Sequence, residues 1–319
     1  MSALVARRII PARCDMRQLD HGLPTGFLDV GSSMIALALP PLAKKPAAFP
    51  QLRIRQRLGK YRIERRLAQG GFAHVYQAFD TIEGVHVALK MPHHSIVTPA
   101  MLQTFQREAR LVARLDHPNI LSVKDASFID GRFVIATRLG EESLASRLRR
   151  RIGAQTALEY VEQLLDAVAY AHHNRIIHCD IKPDNVILMS NGRLQLMDFG
   201  IARIAIRTIV GSGSGTVGYM APEQAMGRPS TKSDVFSLGL ICYKILTGHL
   251  PEWPFQWPPP GMANLRRKAH PELIAILRRA LELKPQLRFQ DAQEMRDAFR
   301  KIRRKAWRHV GHAPPSPVS

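Results

Sequence analysis

Two hydrophobic patterns divide the chain, and the first is a series of short β-rich segments. Residues 61–80 alternate apolar and polar positions around a Gly-Gly pair, which predicts a hairpin closed by a glycine-rich loop. Residues 85–91 form another β-rich run, and residues 127–139 predict a second hairpin with Asp130-Gly131 at its turn. We therefore expect this part of the chain to form a small sheet.

The second pattern is helical and dominates the later part of the chain. Apolar residues recur at intervals of three and four, which predicts helices over residues 98–115, 157–173, 233–248, 271–283 and 291–304. Strands first and helices later favour an α+β fold with a small β-rich lobe and a larger helical lobe.

Composition adds a globular core and two basic ends. The 319 residues are 45% hydrophobic, so a substantial core is available and wholesale disorder is excluded. Of the net charge of +20, residues 1–60 contribute 10 Lys/Arg against 3 Asp/Glu, and residues 296–319 contribute 7 against 1. We favour a flexible arm and a solvated helix face, although basic ends could also bind nucleic acid or an acidic membrane surface.

The distribution of pattern along the chain predicts three segments. Residues 1–58 lack a sustained period and contain a Pro-rich stretch, which predicts a flexible basic N-terminal extension. Residues 61–304 contain all the patterned elements and are expected to form the folded domain. Residues 305–319 are expected to be a disordered tail.

Neither an integral membrane segment nor an extracellular location is expected. No apolar run approaches the ~20 residues of a membrane helix, and the best N-terminal one, residues 34–39, stops at two prolines. The three cysteines, Cys14, Cys179 and Cys242, are odd in number and widely separated, which fits neither a disulfide framework nor a zinc site. A reducing, cytoplasmic compartment is therefore predicted.

The candidate chemistry begins in the segment HCDIKPDN, where His178, Asp180, Lys182 and Asn185 lie close together. Chance would produce this spacing in on the order of one in several hundred chains of this length. Two strand-like runs follow, joined by an Asn-Gly turn, and the hairpin they predict brings Asn185 and Asp198 to the same end. Because Mg²⁺ prefers oxygen ligands, these two residues predict a magnesium site.

Taken in order from Tyr61 to Arg304, these blocks resemble the Hanks-type (eukaryotic-like) serine/threonine protein kinases of the bacterial kind. The resemblance covers roughly three quarters of the chain, and an ordered set of blocks is more specific than any single motif. It implies a two-lobed protein kinase fold, ATP and Mg²⁺ as cofactors, and protein substrates with Ser/Thr acceptors. Lys182 and the segment GTVGYMAPE (215–223) resemble the serine/threonine branch rather than the tyrosine branch.

The resemblance also assigns the nucleotide-binding residues. LAQGGFAHV occupies the place of the glycine-rich loop over the ATP phosphates, where small residues allow close backbone approach. Gly70 matches the middle glycine, whereas Ala68 and Ala73 replace the other two, and Ala68 is expected to raise the KM for ATP. Lys90 matches the lysine that pairs with the α- and β-phosphates, and Glu108 the helix glutamate that holds it. The complete set comprises Leu67, Ala68, Gln69, Gly70, Gly71, Phe72, Ala73, His74, Val75, Ala88, Lys90, Glu108, Thr137, Leu139 and Ile187.

By the same resemblance, Asp180 is the catalytic base that accepts the hydrogen bond of the substrate hydroxyl, and Lys182 neutralises the transferring phosphoryl group. Asn185 and Asp198 would hold the metal.

Three further residues take supporting roles by resemblance. Glu223 and Arg288 match a buried ion pair that fixes the end of the activation segment. Asp234 matches the helix aspartate that anchors the backbone of the catalytic loop.

Two departures from the family pattern carry further expectations. Cys179 stands where many members have the arginine that receives the activating phosphate, the non-RD arrangement. Activity should therefore depend only weakly on phosphorylation of Thr208, Ser212 or Ser214. Ala136 aligns with the residue at the back of the adenine pocket, where so small a side chain would open a back pocket.

Several alternatives stay open. A pseudokinase or nucleotide-binding scaffold is supported by the altered glycine-rich loop and opposed by the intact polar set. A nucleic-acid binder is not expected, because no recognition-helix, zinc-finger or aromatic stacking signature accompanies the basic ends. A small-molecule kinase is disfavoured by the GTVGYMAPE segment. The His172-His173 pair offers no third ligand, so no metal site is predicted there, and the sequence does not indicate an oligomeric state.

Overall fold

The β-rich part of the chain forms a six-stranded antiparallel sheet in the computed structural model, which describes residues 51–69, 73–93, 99–199, 217–252 and 254–313. Its order is β1-β2-β3-β4-β6-β5. The strands are β1 (Arg57–Leu58), β2 (Tyr61–Gln69), β3 (Ala73–Asp80), β4 (Val85–Pro92), β5 (Val123–Ile129) and β6 (Arg132–Arg138). Both predicted hairpins are confirmed, and Asp130 (φ 48°) and Gly131 (φ 74°) make the turn of the second.

Alternation along these strands buries one face of the sheet. In β4, Val87, Leu89 and Met91 are buried at every second position, where they pack with Tyr61 and Ile63 of β2. Lys90 of β4 therefore points to the opposite face, because successive side chains of a strand alternate. That alternation positions the lysine for the site described below.

The later part of the chain is helical, with a small sheet against it. The helices are α1 (Pro99–Val112), α2 (Leu144–Arg147), α3 (Ala154–His173), α4 (Pro222–Ala225), α5 (Thr231–Thr247), α6 (Met262–Lys268), α7 (Pro271–Ala280) and α8 (Ala292–His309). Strands β7 (Glu142–Ser143), β8 (Val186–Leu188) and β9 (Leu194–Leu196) form the three-stranded sheet. The predicted α+β fold, with one β-rich and one larger helical part, is confirmed.

Helix α5 is the centre of the helical core. Of its 17 residues, 14 are buried, and it packs against α3, α6, α7 and α8. Gly239 permits the close approach of α7, since a Cβ there would lie 3.0 Å from the Cβ of Ala280. None of the described helices combines the length and the apolar character needed to cross a lipid bilayer.

Both predicted domain boundaries shift in the structure. Residues 51–58 join the sheet rather than the extension, since Leu52 and Leu58 are buried and β1 pairs with β2. Helix α8 continues past Arg304 to His309, because Trp307 is fully buried against the helical core, so residues 305–309 are not a disordered tail. Residues 1–50 and 314–319 lie outside the described residues, and the predictions for them stay predictions.

Candidate active site

The loop that carries the HCDIKPDN segment is anchored on α5. Asp234 accepts hydrogen bonds from the backbone N–H groups of His178 (2.7 Å) and Cys179 (2.8 Å) through its two carboxylate oxygens. Cys179 has φ of +65°, a left-handed conformation that a non-glycine residue adopts at a cost. The two charge-assisted bonds hold that conformation and set the direction in which the chain leaves toward Asp180. Asp234 therefore has its predicted anchoring contact.

Lys182 and Asn185 both contact the carboxylate of Asp180. The Oδ2 of Asp180 lies 2.8 Å from the Nζ of Lys182 and accepts a 2.8 Å hydrogen bond from the Nδ2 of Asn185. The same Nδ2 also donates to the backbone carbonyl of Asp180 (2.8 Å). Oδ1 of Asp180 makes no bond to any described residue, and the side chain is 38% exposed. One oxygen is thus fixed while the other faces solvent.

His178 is structural, as its packing shows. Its Nε2 donates to the carbonyl of Met197 (2.9 Å), and its Nδ1 accepts from the N–H of Asp180 (3.2 Å). Its ring also packs against Phe199, with centroids 4.6 Å apart. The imidazole therefore ties the loop holding Asp180 to the chain that enters Asp198, and has no nitrogen left for proton transfer.

Lys90 reaches the site from the opposite sheet. Its Nζ lies 2.7 Å from the Oδ1 of Asp198, although the two residues are 108 positions apart in the sequence. Asp198 also has a left-handed backbone, with φ of +64°. Glu108 lies in α1, but its side chain is not among those described, so its pairing with Lys90 stays a prediction.

The predicted hairpin that brings Asn185 and Asp198 together is confirmed. Strands β8 and β9 pair in register, with Gly192 (φ 77°) in the turn, and the N–H of Met197 donates to the carbonyl of Asn185 (2.9 Å). Because Asn185 donates through Nδ2, its Oδ1 is unused among the described contacts, as is the Oδ2 of Asp198. These oxygens are the donor type that Mg²⁺ prefers, so the residues fit this ion.

The glycine-rich loop is described on both flanks. Ala68 pairs with Val75, and Gln69 pairs with His74 across the β2–β3 hairpin. Leu67 is partly exposed at the end of β2, and Ala73 is buried. The loop residues Gly70, Gly71 and Phe72 lie outside the described residues, so the predicted phosphate contacts stay predictions.

The predicted adenine-side residues occupy the neighbouring strands. Ala88 pairs with Thr137, and Leu89 pairs with Ala136, which is buried. Leu139 follows β6, and Ile187 lies in β8. Ala136 therefore lies on the face of Leu89, away from Lys90, and not at the back of the adenine pocket as predicted; Thr137 shares the face of Ala88.

Gly140 lies against Ile187, a predicted site residue, and the sequence did not single it out. A Cβ built on it would lie 2.1 Å from Cγ2 of Ile187 and 3.0 Å from the carbonyl oxygen of Leu188. A lone glycine outside a recognisable turn gives no sequence signal, because its requirement comes from a strand 47 residues away.

The Glu223–Arg288 pair is present and buried. Arg288, 1% exposed, donates to both carboxylate oxygens of Glu223 at 2.7 and 3.1 Å, and Ser233 donates a third bond of 2.7 Å. Burial raises the pKa of Glu223, but the bonds from Arg288 and Ser233 outweigh it and hold that pKa below its ordinary value. The pair joins α4 to the loop before α8.

Two further residues, whose role was not predicted from the sequence, support the loop that carries the HCDIKPDN segment. His172 is buried and hydrogen-bonded to Asp234, and the side chain of Gln224 donates to the carbonyl of Cys179 (2.5 Å).

Residues 200–216, including Thr208, Ser212, Ser214 and Thr216, lie outside the described residues. No cluster of three or more His, Cys, Asp or Glu side chains able to hold a metal occurs in the part of the chain that the structure describes.

Comparisons with known proteins agree with this geometry. The family named Protein kinase domain matches residues 61–302. Serine/threonine-protein kinase PknA of Mycobacterium tuberculosis is 33% identical over 287 residues, which cover 81% of this chain and 63% of the relative. Serine/threonine-protein kinase PrkC of Bacillus subtilis is 37% identical over 201 residues, covering 60% and 31% respectively.

A solved structure extends the comparison to the fold. The crystal structure of the Mycobacterium tuberculosis PknI kinase domain matches with a TM-score of 0.62 and 27% identity, over 79% of this chain and 99% of that structure. The chain spans less than two thirds of the length of the two curated relatives. On the match of residues 61–302, the chain belongs to the protein kinase domain family.

Proposed function

We propose that this chain is a protein serine/threonine kinase that transfers the γ-phosphate of ATP, with Mg²⁺, to Ser/Thr hydroxyls of protein substrates in the cytoplasm. The proposal rests on one observation: Asp180 is held by Lys182 and Asn185 beside an Asp198 that pairs with Lys90 from the other sheet. The three cysteines, odd in number and widely separated in the sequence, support the reducing compartment. Family membership supports the reaction class.

Within this proposal, the free oxygen of Asp180 accepts the substrate hydroxyl. Oδ2 is occupied by Lys182 and Asn185, so Oδ1 accepts the hydroxyl hydrogen bond and directs the oxygen toward the phosphorus. Lys182, next to that carboxylate, supplies positive charge where the transferring group carries its negative charge. Phosphoryl transfer needs chiefly positioning and charge neutralisation, and these side chains provide both.

The oxygen donors of Asn185 and Asp198 would hold Mg²⁺. When bound, the ion would neutralise the negative charge of the phosphates. Lys90, which contacts the carboxylate of Asp198 here, would then also contact the α- and β-phosphates of the nucleotide.

The rival function is a pseudokinase that binds nucleotide with little transfer, and Ala68 and Ala73 in the glycine-rich loop are the features in its favour. The two functions separate experimentally. We expect radiolabelled phosphate from ATP to enter a generic protein substrate with the wild type and Mg²⁺, and to fall to background with Asp180→Ala or with EDTA. Wild-type protein that binds ATP in a fluorescence assay without any transfer would instead establish the pseudokinase.

A further inference from the structure

A basic cleft lies in the helical part of the chain, outside the residues assigned to nucleotide and catalysis. It encloses about 620 Å³ between the segment after α2, the end of α5 and helix α6. Its charged lining residues are Arg149, Arg150, Arg151, Lys244, Arg267 and Lys268, and none of the described residues that line it is acidic. A concave surface with one sign of charge focuses its field on a ligand of the opposite sign.

Most of this charge has no carboxylate partner. Arg150 pairs with Glu142, whereas Lys268 donates to the carbonyl of Ile152 (2.9 Å) and Arg267 to the side chain of Asn264 (3.2 Å). The exposed side chains of Arg149 and Arg151 form no ion pair with any described residue. An anion that binds between these like charges lowers the electrostatic repulsion among them.

The ionisation of Lys268 reflects that crowding. Burial, together with the neighbouring charges of Arg267 and Arg151, lowers the pKa of Lys268 below its ordinary value. A bound carboxylate would relieve the repulsion.

The cleft adjoins the segment that resembles a protein-substrate platform. Lys244 lines the cleft, and its Nζ lies 5.6 Å from the ring centroid of Tyr219 in that platform segment. Just beyond α5, Leu250 packs against Gly218, where a Cβ would lie 3.2 Å from its Cδ2. On the other side, α2 packs against the turn Pro183–Asn185 that follows Asp180. The cleft and the catalytic loop therefore share supporting elements.

From this placement we propose that the basic cleft binds an acidic segment of the protein substrate that flanks the phosphorylated Ser or Thr. Arg149, Arg151 and Arg267 are the contacts for its carboxylates. An extended peptide advances about 3.3 Å per residue, so residues a few positions from the acceptor would lie beyond the platform, in the direction of the cleft. This inference rests on the proposed function and adds a substrate class to it.

The first test compares peptides that differ in charge alone. One Ser-containing peptide carries a run of Glu beside the acceptor, and its twin carries Gln at the same positions. At low salt we expect the Glu peptide to show about a tenfold lower KM with similar kcat, the sum of three exposed ion pairs. Arg149→Gln/Arg151→Gln/Arg267→Gln should erase the difference. The matched control, Lys301→Gln/Arg304→Gln/Arg308→Gln on α8, removes the same charge elsewhere and should preserve it.

A second test needs no phosphotransfer. The 319-residue chain carrying Asp180→Ala is titrated with fluorescent hexaglutamate and followed by anisotropy. We expect binding that weakens with salt and is lost when the cleft substitutions are added. Equal KM values for the two peptides, measured with active enzyme, would overturn the proposed binding of acidic substrate segments in the cleft and leave the kinase function intact. Binding of hexaglutamate, lost in the cleft variant, together with a wild-type protein that transfers no phosphate would support the cleft and overturn the kinase function. Preference for a duplex oligonucleotide over hexaglutamate that is lost in the cleft variant would assign the cleft to nucleic acid and overturn the inference.

Discussion

His172 and Asp234 form a buried pair in which Nε2 of the histidine lies 3.0 Å from Oδ2 of the aspartate, with each side chain 1% exposed. The Nδ1 of His172 accepts the backbone N–H of Ala292 (3.0 Å), so the proton sits on Nε2 and is donated to Asp234. Asp234 in turn holds the N–H groups of His178 and Cys179. The first turn of α8 is thus linked through one imidazole to the loop that carries Asp180.

Replacing His172 by Phe should weaken both stability and catalysis. The substitution leaves the N–H of Ala292 and one acceptor position of Asp234 unsatisfied in the core, which costs about 2–4 kcal/mol in the free energy of unfolding. Loosening of Asp234 should also lower kcat. Urea unfolding and steady-state kinetics measure the two effects.

His173 provides the control, because it is the exposed neighbour on the same helix. His173→Phe should change both quantities little. An unfolding free energy for His172→Phe equal to that of the wild type would contradict the linking role.

The features that the sequence predicted are those set by local pattern, such as strand alternation and the spacing of residues within one loop. The alternation of β4 fixes the direction of Lys90, and the spacing of HCDIKPDN fixes the contacts of Asp180 with Asn185. The role of His172 depends on the start of α8, 120 residues away, and no local pattern encodes it. Residues 305–309 were predicted as part of a tail because basic residues surround Trp307, whose burial depends on the packing of α8 on α3.

The Glu223–Arg288 pair predicts a pH-dependent loss of stability. Since the folded-state pKa of Glu223 is lowered, the pair stabilises the protein above the unfolded value of 4.5, and this contribution disappears as pH falls through the folded pKa. Glu223→Gln should therefore be about 3 kcal/mol less stable than wild type near neutral pH. The deficit should shrink below pH 4.5. Urea unfolding of both proteins, near neutral pH and below pH 4.5, gives the difference in the free energy of unfolding at each pH.

Glu294→Gln is the matched control, since Glu294 makes an exposed ion pair with Arg279. It should cost about 0–1 kcal/mol. A Glu223→Gln deficit that is the same at both pH values would contradict the ionic contribution.

Gly140 should not tolerate a side chain. In Gly140→Ala the new Cβ would overlap Cγ2 of Ile187, and moving the strand costs about 1–3 kcal/mol. We expect a higher KM for ATP, because Ile187 belongs to the predicted adenine side. Adding Ile187→Ala removes the clashing methyl group and should restore part of the affinity; a double variant as weak as Gly140→Ala would place the clash on the backbone of Leu188 instead.

The strand pairing places Ala136 away from the nucleotide side of the sheet. Its methyl group is buried opposite Leu89, on the face away from Lys90, so its small size does not open a pocket beside the adenine. Ala136→Met should overpack this face and cost about 1–3 kcal/mol in the free energy of unfolding, while the affinity for an ATP analogue with a benzyl group on adenine N6, relative to ATP, stays unchanged. Urea unfolding and competition binding measure the two effects. Loss of analogue binding with ATP binding retained would place Ala136 in the adenine pocket.

The last prediction concerns the activation segment. Cys179 is buried, its N–H is held by Asp234, and its carbonyl accepts from the side chain of Gln224, so these contacts fix its backbone without a phosphate. A phosphorylated loop has no arginine at this position to attract it. Replacing Thr208, Ser212 and Ser214 together by Ala should therefore lower kcat/KM less than about tenfold, or 1.4 kcal/mol. Gln224→Ala, which removes the hydrogen bond from Gln224 to the carbonyl of Cys179, should lower kcat/KM more than that triple change. A hundredfold loss in the triple variant, with Gln224→Ala near wild type, would show that phosphorylation and not the neutral contact organises the loop.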